Sequence, residues 1–284
     1  FTQTMKSGGY MSIIPRDPKY TSGGEYTYKY IATTTEAYIL CAKTEAKSGY
    51  ICTDQISGSG LSQVEEPPVD FGGWGGGSFT CGDTVTFTYK GSSVAYGTVE
   101  HNSKCWMDRN LGAAQAATLF NDSAAYGDLF QWGRLDDGHQ TRNSGITTVL
   151  SGSSNPGHGN FIYGMGSPYD WVSPQIDSLW QGVSGTNNPC PSGWRVPTET
   201  EWNTERLSWS SNNYNGAFAS PLKLTAAGYR DRSTATVNDA GVGGYYWSSA
   251  VSVPNSRILT FGSGGAPMYS DYRAYGFSVR CVKD

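Results

Sequence analysis

The last quarter of the chain restricts its folding most. The stretches Gly243-Gly244-Tyr245-Tyr246-Trp247-Ser248-Ser249 and Tyr275-Gly276-Phe277-Ser278-Val279-Arg280-Cys281-Val282 read as fixed framework. The small and polar residues between and around them carry neither a helical nor a strand period. From Leu224 to Val282, a span of 59 residues, there is no Lys, Glu or Gln. The chain holds 26 of these in 284 residues, so composition predicts about five there. Randomising the two adenines of an AAC or AAT codon never yields Lys, Glu, Gln, Met or Trp. Gly/Ser-rich loops also lose charge for ordinary reasons.

A net charge of -4 with 15% charged residues supplies no basic field for nucleic acid. No apolar run reaches membrane-spanning length and no signal peptide is visible. The opening Phe1-Thr2-Gln3-Thr4 predicts a further segment upstream. Six cysteines lie far apart, no Cys-x-x-Cys exists and only three histidines are present, which argues against structural zinc. An even cysteine count in such a chain points to disulfides and an extracellular setting. Six cysteines allow fifteen connectivities; the expected one is Cys41–Cys52, Cys81–Cys105 and Cys190–Cys281. The last would close the longest loop, worth roughly 4 kcal/mol in the chain-entropy model.

Three regions follow. Residues 1–56 form a small β stem, where Tyr26, Tyr28 and Tyr30, then Tyr38, Leu40 and Ala42, alternate with period two. Residues 57–78 hold Glu65-Glu66-Pro67-Pro68 and Gly72-Gly73-Trp74-Gly75-Gly76-Gly77, a linker composition that packs no core. Residues 79–284 open on strands, with Val85, Phe87 and Tyr89, a turn at Lys90–Ser93, then Val94, Tyr96 and Thr98. Thr198 followed by Glu201 forms a capping box and predicts a helix burying Trp202, Arg206 and the Leu207/Trp209 region. A second short helix is expected over Ala125–Gly133, with Leu129, Phe130 and Trp132 partly inward.

Ile14-Pro15-Arg16-Asp17-Pro18, the Tyr26–Tyr30 stretch and Tyr38–Ala42 resemble the C-terminal part of type IV pilins and pseudopilins. Further along, Cys105–Leu111, Tyr126–Arg134, Cys190–Thr198, Ala227–Arg230, Tyr246–Ser249 and Gly276–Cys281 resemble the Fibrobacter succinogenes major paralogous domain, in order and over nearly all of 79–284. The C-terminal pattern is also similar to variable proteins of diversity-generating retroelements, some of which are fused to pilin-like stems. These resemblances imply an α+β fold: a loop-rich C-type-lectin-like domain, related to formylglycine-generating enzymes, after a small pilin-like antiparallel β domain. They further imply a diversified, ligand-binding face within about 231–275, displayed at a cell surface or pilus.

On that face the candidate residues are Ser233, Asn238, Val242 and Tyr245, then Ser256, Ile258, Thr260 and Gly262, then Tyr269, Ser270, Asp271, Tyr272 and Tyr275. The tyrosines would be the anchors, because Tyr offers large, rigid contact area at low entropy cost. Val242 and Ile258 are the two for which a core role competes most. The implied partner is a protein or glycan on another cell, a phage or a host, with pilus subunits reached through the absent N-terminal helix. A static adhesin or carbohydrate-binding module of the same fold is the alternative. No enzyme activity and no cofactor are expected: His101, His139 and His158 lack Ser or Cys partners at informative spacing, and Cys190 and Cys281 sit in framework motifs. The calcium-lectin signature is missing, since Val253-Pro254-Asn255 and Trp202-Asn203-Thr204 lack the acids. Sugar stacking would need Trp171 or Trp180 exposed, whereas core packing is expected for both, and Asp136-Asp137-Gly138 and Asp170 could hold a structural Ca²⁺, although a solvated turn is the expectation.

Overall fold

Alternating tyrosines in the first region become strands. The computed structural model describes residues 28–32, 38–43, 50–54 and 79–284. The 57–78 linker, Trp74 and the 14–18 motif lie outside them. The chain divides into two compact units, Phe1–Phe71 and Gly72–Asp284. In the first, β1 (Tyr28–Ala32), β2 (Tyr38–Lys43) and β3 (Tyr50–Asp54) form an antiparallel meander. Its register sets Cys41 opposite Cys52. The side chains of these strands, and the expected bridge with them, lie outside what is described.

The second unit opens on the hairpin read from the sequence, β4 (Val85–Tyr89) and β5 (Ser92–Tyr96). Lys90 and Gly91 make its turn with φ of 49° and 75°, the mirror-image turn whose twist suits paired strands. A second hairpin, β6 (Thr98–His101) and β7 (Lys104–Met107), follows. The Cys81–Cys105 disulfide ties the start of the unit to it. Gly, Asn, Ser and Pro then cut the chain into two-residue strands: β8 (Phe130–Gln131), β9 (Ile146–Thr147), β10 (Phe161–Ile162) and β11 (Trp194–Arg195). Two helices, α1 (Glu199–Leu207) and α2 (Tyr214–Ala219), precede the last group. That group is β12 (Tyr229–Arg230), β13 (Val237–Asn238), β14 (Gly244–Ser252), β15 (Asn255–Phe261), β16 (Met268–Asp271), β17 (Gly276–Phe277) and β18 (Val282–Lys283). The main sheets run β11-β18-β7-β6, β13-β12-β17-β8 and β14-β15-β16.

The fold is therefore β-rich, and the expected α+β architecture with a pilin-like stem is corrected. Among the described residues the α-helices have only 9 and 6 residues, and the stem region shows strands alone. The helix expected over Ala125–Gly133 is instead a single 3₁₀ turn at Ser123–Ala125 followed by β8. Gly127 explains this. It sits at φ +69°, and a Cβ there would meet the Leu111 carbonyl at 2.5 Å. Leu129, Phe130 and Trp132 are nonetheless fully buried. The Thr198–Glu201 capping box forms as read, but α1 turns Glu205 inward beside Trp202 and leaves Leu207 67% exposed. Glu205 is stabilised there by donors from Asn102, Trp209 and Ser220.

The resemblance motifs supply part of the core, through Trp106, Trp132 and Trp247, and the residues between them supply Trp171, Trp180 and Trp202. Trp106, Trp132, Trp171, Trp180, Trp202 and Trp247 are all fully buried, and each indole N–H donates to a main-chain carbonyl. The guanidinium of Arg280 reaches the carbonyls of Met107 and Leu222 and the side chain of Asn110. The Cys190–Cys281 disulfide joins the approaches to β11 and β18 across 91 residues. Two disulfides fit an oxidising, extracellular setting. No helix among the described residues is long and apolar enough to cross a membrane.

Candidate functional site

Two sheets meet through the bridges Gly228↔Gly244 and Tyr246↔Ser278. This brings β12, β14 and β17 together although 48 positions separate Tyr229 from Phe277 in sequence. Tyr229, Tyr245, Tyr275 and Phe277, with Asp271 from the end of β16, line an open cleft of about 150 Å³. Tyr275 and Phe277 are two apart, so both rings leave the same side of the chain. They lie parallel, 5.5 Å between centroids. Tyr245 stacks on Phe277 at 5.5 Å, and Phe277 rests on the buried Trp247 at 4.5 Å. Tyr229 stands edge-on to Tyr245, Tyr275 and Phe277. The tyrosine wall continues through Tyr272 to Tyr169, and the Arg232 guanidinium lies 4.1 Å from the Tyr169 ring centre and 5.1 Å from that of Tyr272.

Polar groups fix this wall. The Tyr245 hydroxyl donates to Asp239 at 2.6 Å, and burial with that carboxylate raises its pKa. Burial likewise raises Tyr229 and Tyr275, so all three phenols stay neutral donors. Asp231 accepts from the backbone and hydroxyls of Ser233 and Thr234, closing the loop that carries Arg232. Arg232 donates to the Gly164 carbonyl at 2.6 Å. Asp271 accepts the Tyr272 N–H at 2.8 Å, and burial pushes its carboxyl up to about 6, against the pull of Arg232.

Of the sequence candidates, the cleft gathers Tyr245, Asp271 and Tyr275, with Tyr272 adjoining. Register places Tyr245, Thr260, Ile258, Tyr269, Ser256 and Asp271 on one face of β14-β15-β16. That face is layered: Ser256 and Ile258 are buried beneath it and are corrected from binding residues to support, whereas Tyr269 is 60% exposed. Packing explains the correction for Ile258, which belongs to the buried cluster of Trp247 and Phe277. Ser270 pairs with Arg257 and Ser252, so its hydroxyl is spent within the sheet. Gly262 lies at the β15–β16 turn, while Val242 (64% exposed) lies in the turn before β14. Ser233 caps the Asp231 loop, and Asn238 bonds Thr236 on the edge strand β13. None of these last four lines the cleft.

Tyr229, Arg232, Asp239 and Tyr169 escaped the sequence reading as site residues. Tyr229 sits in the Ala227–Arg230 motif, which reads as framework, and Tyr169 lies outside 231–275. Only its aromatic character, in a chain with 19 tyrosines, signalled it.

The rival chemistries find other arrangements. His139 is fully buried, with Nδ1 against Asp137 at 2.6 Å and Nε2 accepting the Gln131 N–H at 3.0 Å. Both ring nitrogens are committed within the fold, and burial lowers its pKa to about 4. Asp137 also binds Arg134, and Asp170 accepts from Gln175 and the Trp171 N–H. Among the described residues no three His, Cys, Asp or Glu side chains gather as a metal site. Trp171 and Trp180 are fully buried, which closes the stacking route to a sugar through them. Compared with protein-family models, curated proteins and solved structures, the chain matches none.

Proposed function

We propose that this protein is a cell-surface receptor or adhesin that presents the tyrosine cleft to a protein or glycan partner. We further propose that a diversity-generating retroelement rewrites its 231–275 segment. One observation carries the reading: Tyr245, Asp271 and Tyr275, from three parts of that segment, converge on one open cleft. Its floor is framework, Phe277 on Trp247, in the same buried cluster as Cys190 and Cys281. A binding face on such a floor tolerates exchange, since exposed substitutions usually stay within about 0.5 kcal/mol. The absence of Lys, Glu and Gln from 224–282 supports the genetic part, as does the likeness to retroelement variable proteins. Binding rather than catalysis is the reading: His139 commits both ring nitrogens within the fold, His101 Nε2 lies against Ser208 and Glu205, and His158 Nδ1 accepts the Asn160 N–H.

Sequencing the 3′ end of the gene across a population of the source organism tests this. We expect substitutions at a fixed set of positions within 231–275 that includes 245, 271 and 275, with Trp247 and 276–282 constant. An invariant segment overturns diversification and leaves a fixed adhesin.

A further inference from the structure

We infer that the cleft, in this version of the face, takes an alkylammonium group such as the lysine side chain of a partner protein. The inference rests on the ligand-binding reading above and names its ligand class. Four aromatic rings and one carboxylate line the space. Tyr229 meets Tyr245, Tyr275 and Phe277 at interplanar angles of 66°, 79° and 75°, so ring faces of two orientations border one volume. A cation is attracted to the negative face of each ring, most strongly where water is excluded.

Charge selects in the same direction. Asp271 is the only charged side chain in the lining, and among the described residues it forms no ion pair. Asp231, Asp239 and Asp271 raise the cleft tyrosines, and Arg232 lowers Tyr275. That excess of carboxylates repels an anion. The Tyr245 hydroxyl is already given to Asp239, which removes a donor that a neutral sugar would need. The chain itself shows what this wall accepts: Arg232 lies over the rings of Tyr169, Tyr272 and Tyr275 just beside the cleft.

The test titrates the full chain with Nα-acetyl-lysine amide and, as the neutral isostere, Nα-acetyl-norleucine amide, following the tyrosine ring resonances by NMR. We expect saturable shifts of Tyr229, Tyr245 and Tyr275 with the lysine compound, and binding of the norleucine compound at least about tenfold weaker. Asp271→Asn should weaken lysine about tenfold and leave norleucine unchanged. Should that variant fail to fold by near-UV circular dichroism, Asp239→Asn is used, with about threefold loss expected. Equal binding of the two compounds, or none of the lysine compound, overturns the inference. If lysine fails while the population varies at 245, 271 and 275, the receptor reading stands and only the ligand class falls. Lysine binding with an invariant segment keeps the ligand class and removes the diversification.

Discussion

The tryptophan core and the tyrosine cleft are both aromatic, yet they use their polar atoms in opposite ways. Each of the six fully buried indoles named above gives its single N–H to a main-chain carbonyl and has nothing left to offer. In the cleft the rings stack on one another, while Tyr245 is held by an exposed acid and Asp271 forms no ion pair among the described residues. One region is finished internally and the other is left with capacity. Phe277 belongs to both, with one neighbour in the core and three in the cleft.

The contrast can be broken at several points. Trp247→Ala removes the floor of the cleft and an indole bond to Phe130, and should cost about 3–5 kcal/mol in denaturant unfolding. A loss under 1 kcal/mol would mean that the two regions are not layered as described. Replacing Cys190 and Cys281 together by Ser opens a 91-residue separation and should cost about 3–4 kcal/mol, again by denaturant unfolding. Asp271→Asn should instead stabilise at pH 7, by about 2 kcal/mol after allowance for its partial solvation. A raised carboxyl favours folding fully below its unfolded value, and that benefit is lost as pH rises through about 6.

His139 runs the other way. Its lowered value means that the unfolded chain binds the extra proton, so stability is full above about pH 6.5 and is lost as pH falls towards 4. Over that window the two groups oppose one another, and Asp271→Asn should make the acid loss steeper than in the parent. Unfolding curves at pH 7, 5.5 and 4 check this. At the bottom of the scale, Tyr269→Ser should change stability by less than about 0.5 kcal/mol. A larger effect would place Tyr269 with the framework.

Much of the framework was legible because its signals are local. The Val85–Tyr96 hairpin follows from alternation and a Lys-Gly turn, and the α1 start follows from Thr198 and Glu201. The pairings Cys81–Cys105 and Cys190–Cys281 also occur as expected. Failures came where distant partners decide. Glu205 looks like a surface residue until Asn102, Trp209 and Ser220 meet it, and Leu207 gives up its place to it. Ile258 and Ser256 follow the same two-residue spacing as Thr260, and only the tertiary packing, for Ile258 against the Trp247 cluster, shows that they are covered. Tyr229 joined the site because β12 lies beside β17, a pairing that no local pattern announces.

Part of the grip on the 231–275 segment falls on main-chain carbonyls. Arg230 holds the carbonyl of Ala235, Tyr163 that of Thr234, Gln181 that of Ser249, Gln175 that of Pro254 and Arg206 that of Ala266. Every amino acid supplies the same carbonyl oxygen. At Thr234 and Pro254, which are exposed, a different side chain would leave that handle in place, whereas Ser249 and Ala266 are buried, and Arg257 and Arg273 are held by their own side chains through Glu199 and Asp177.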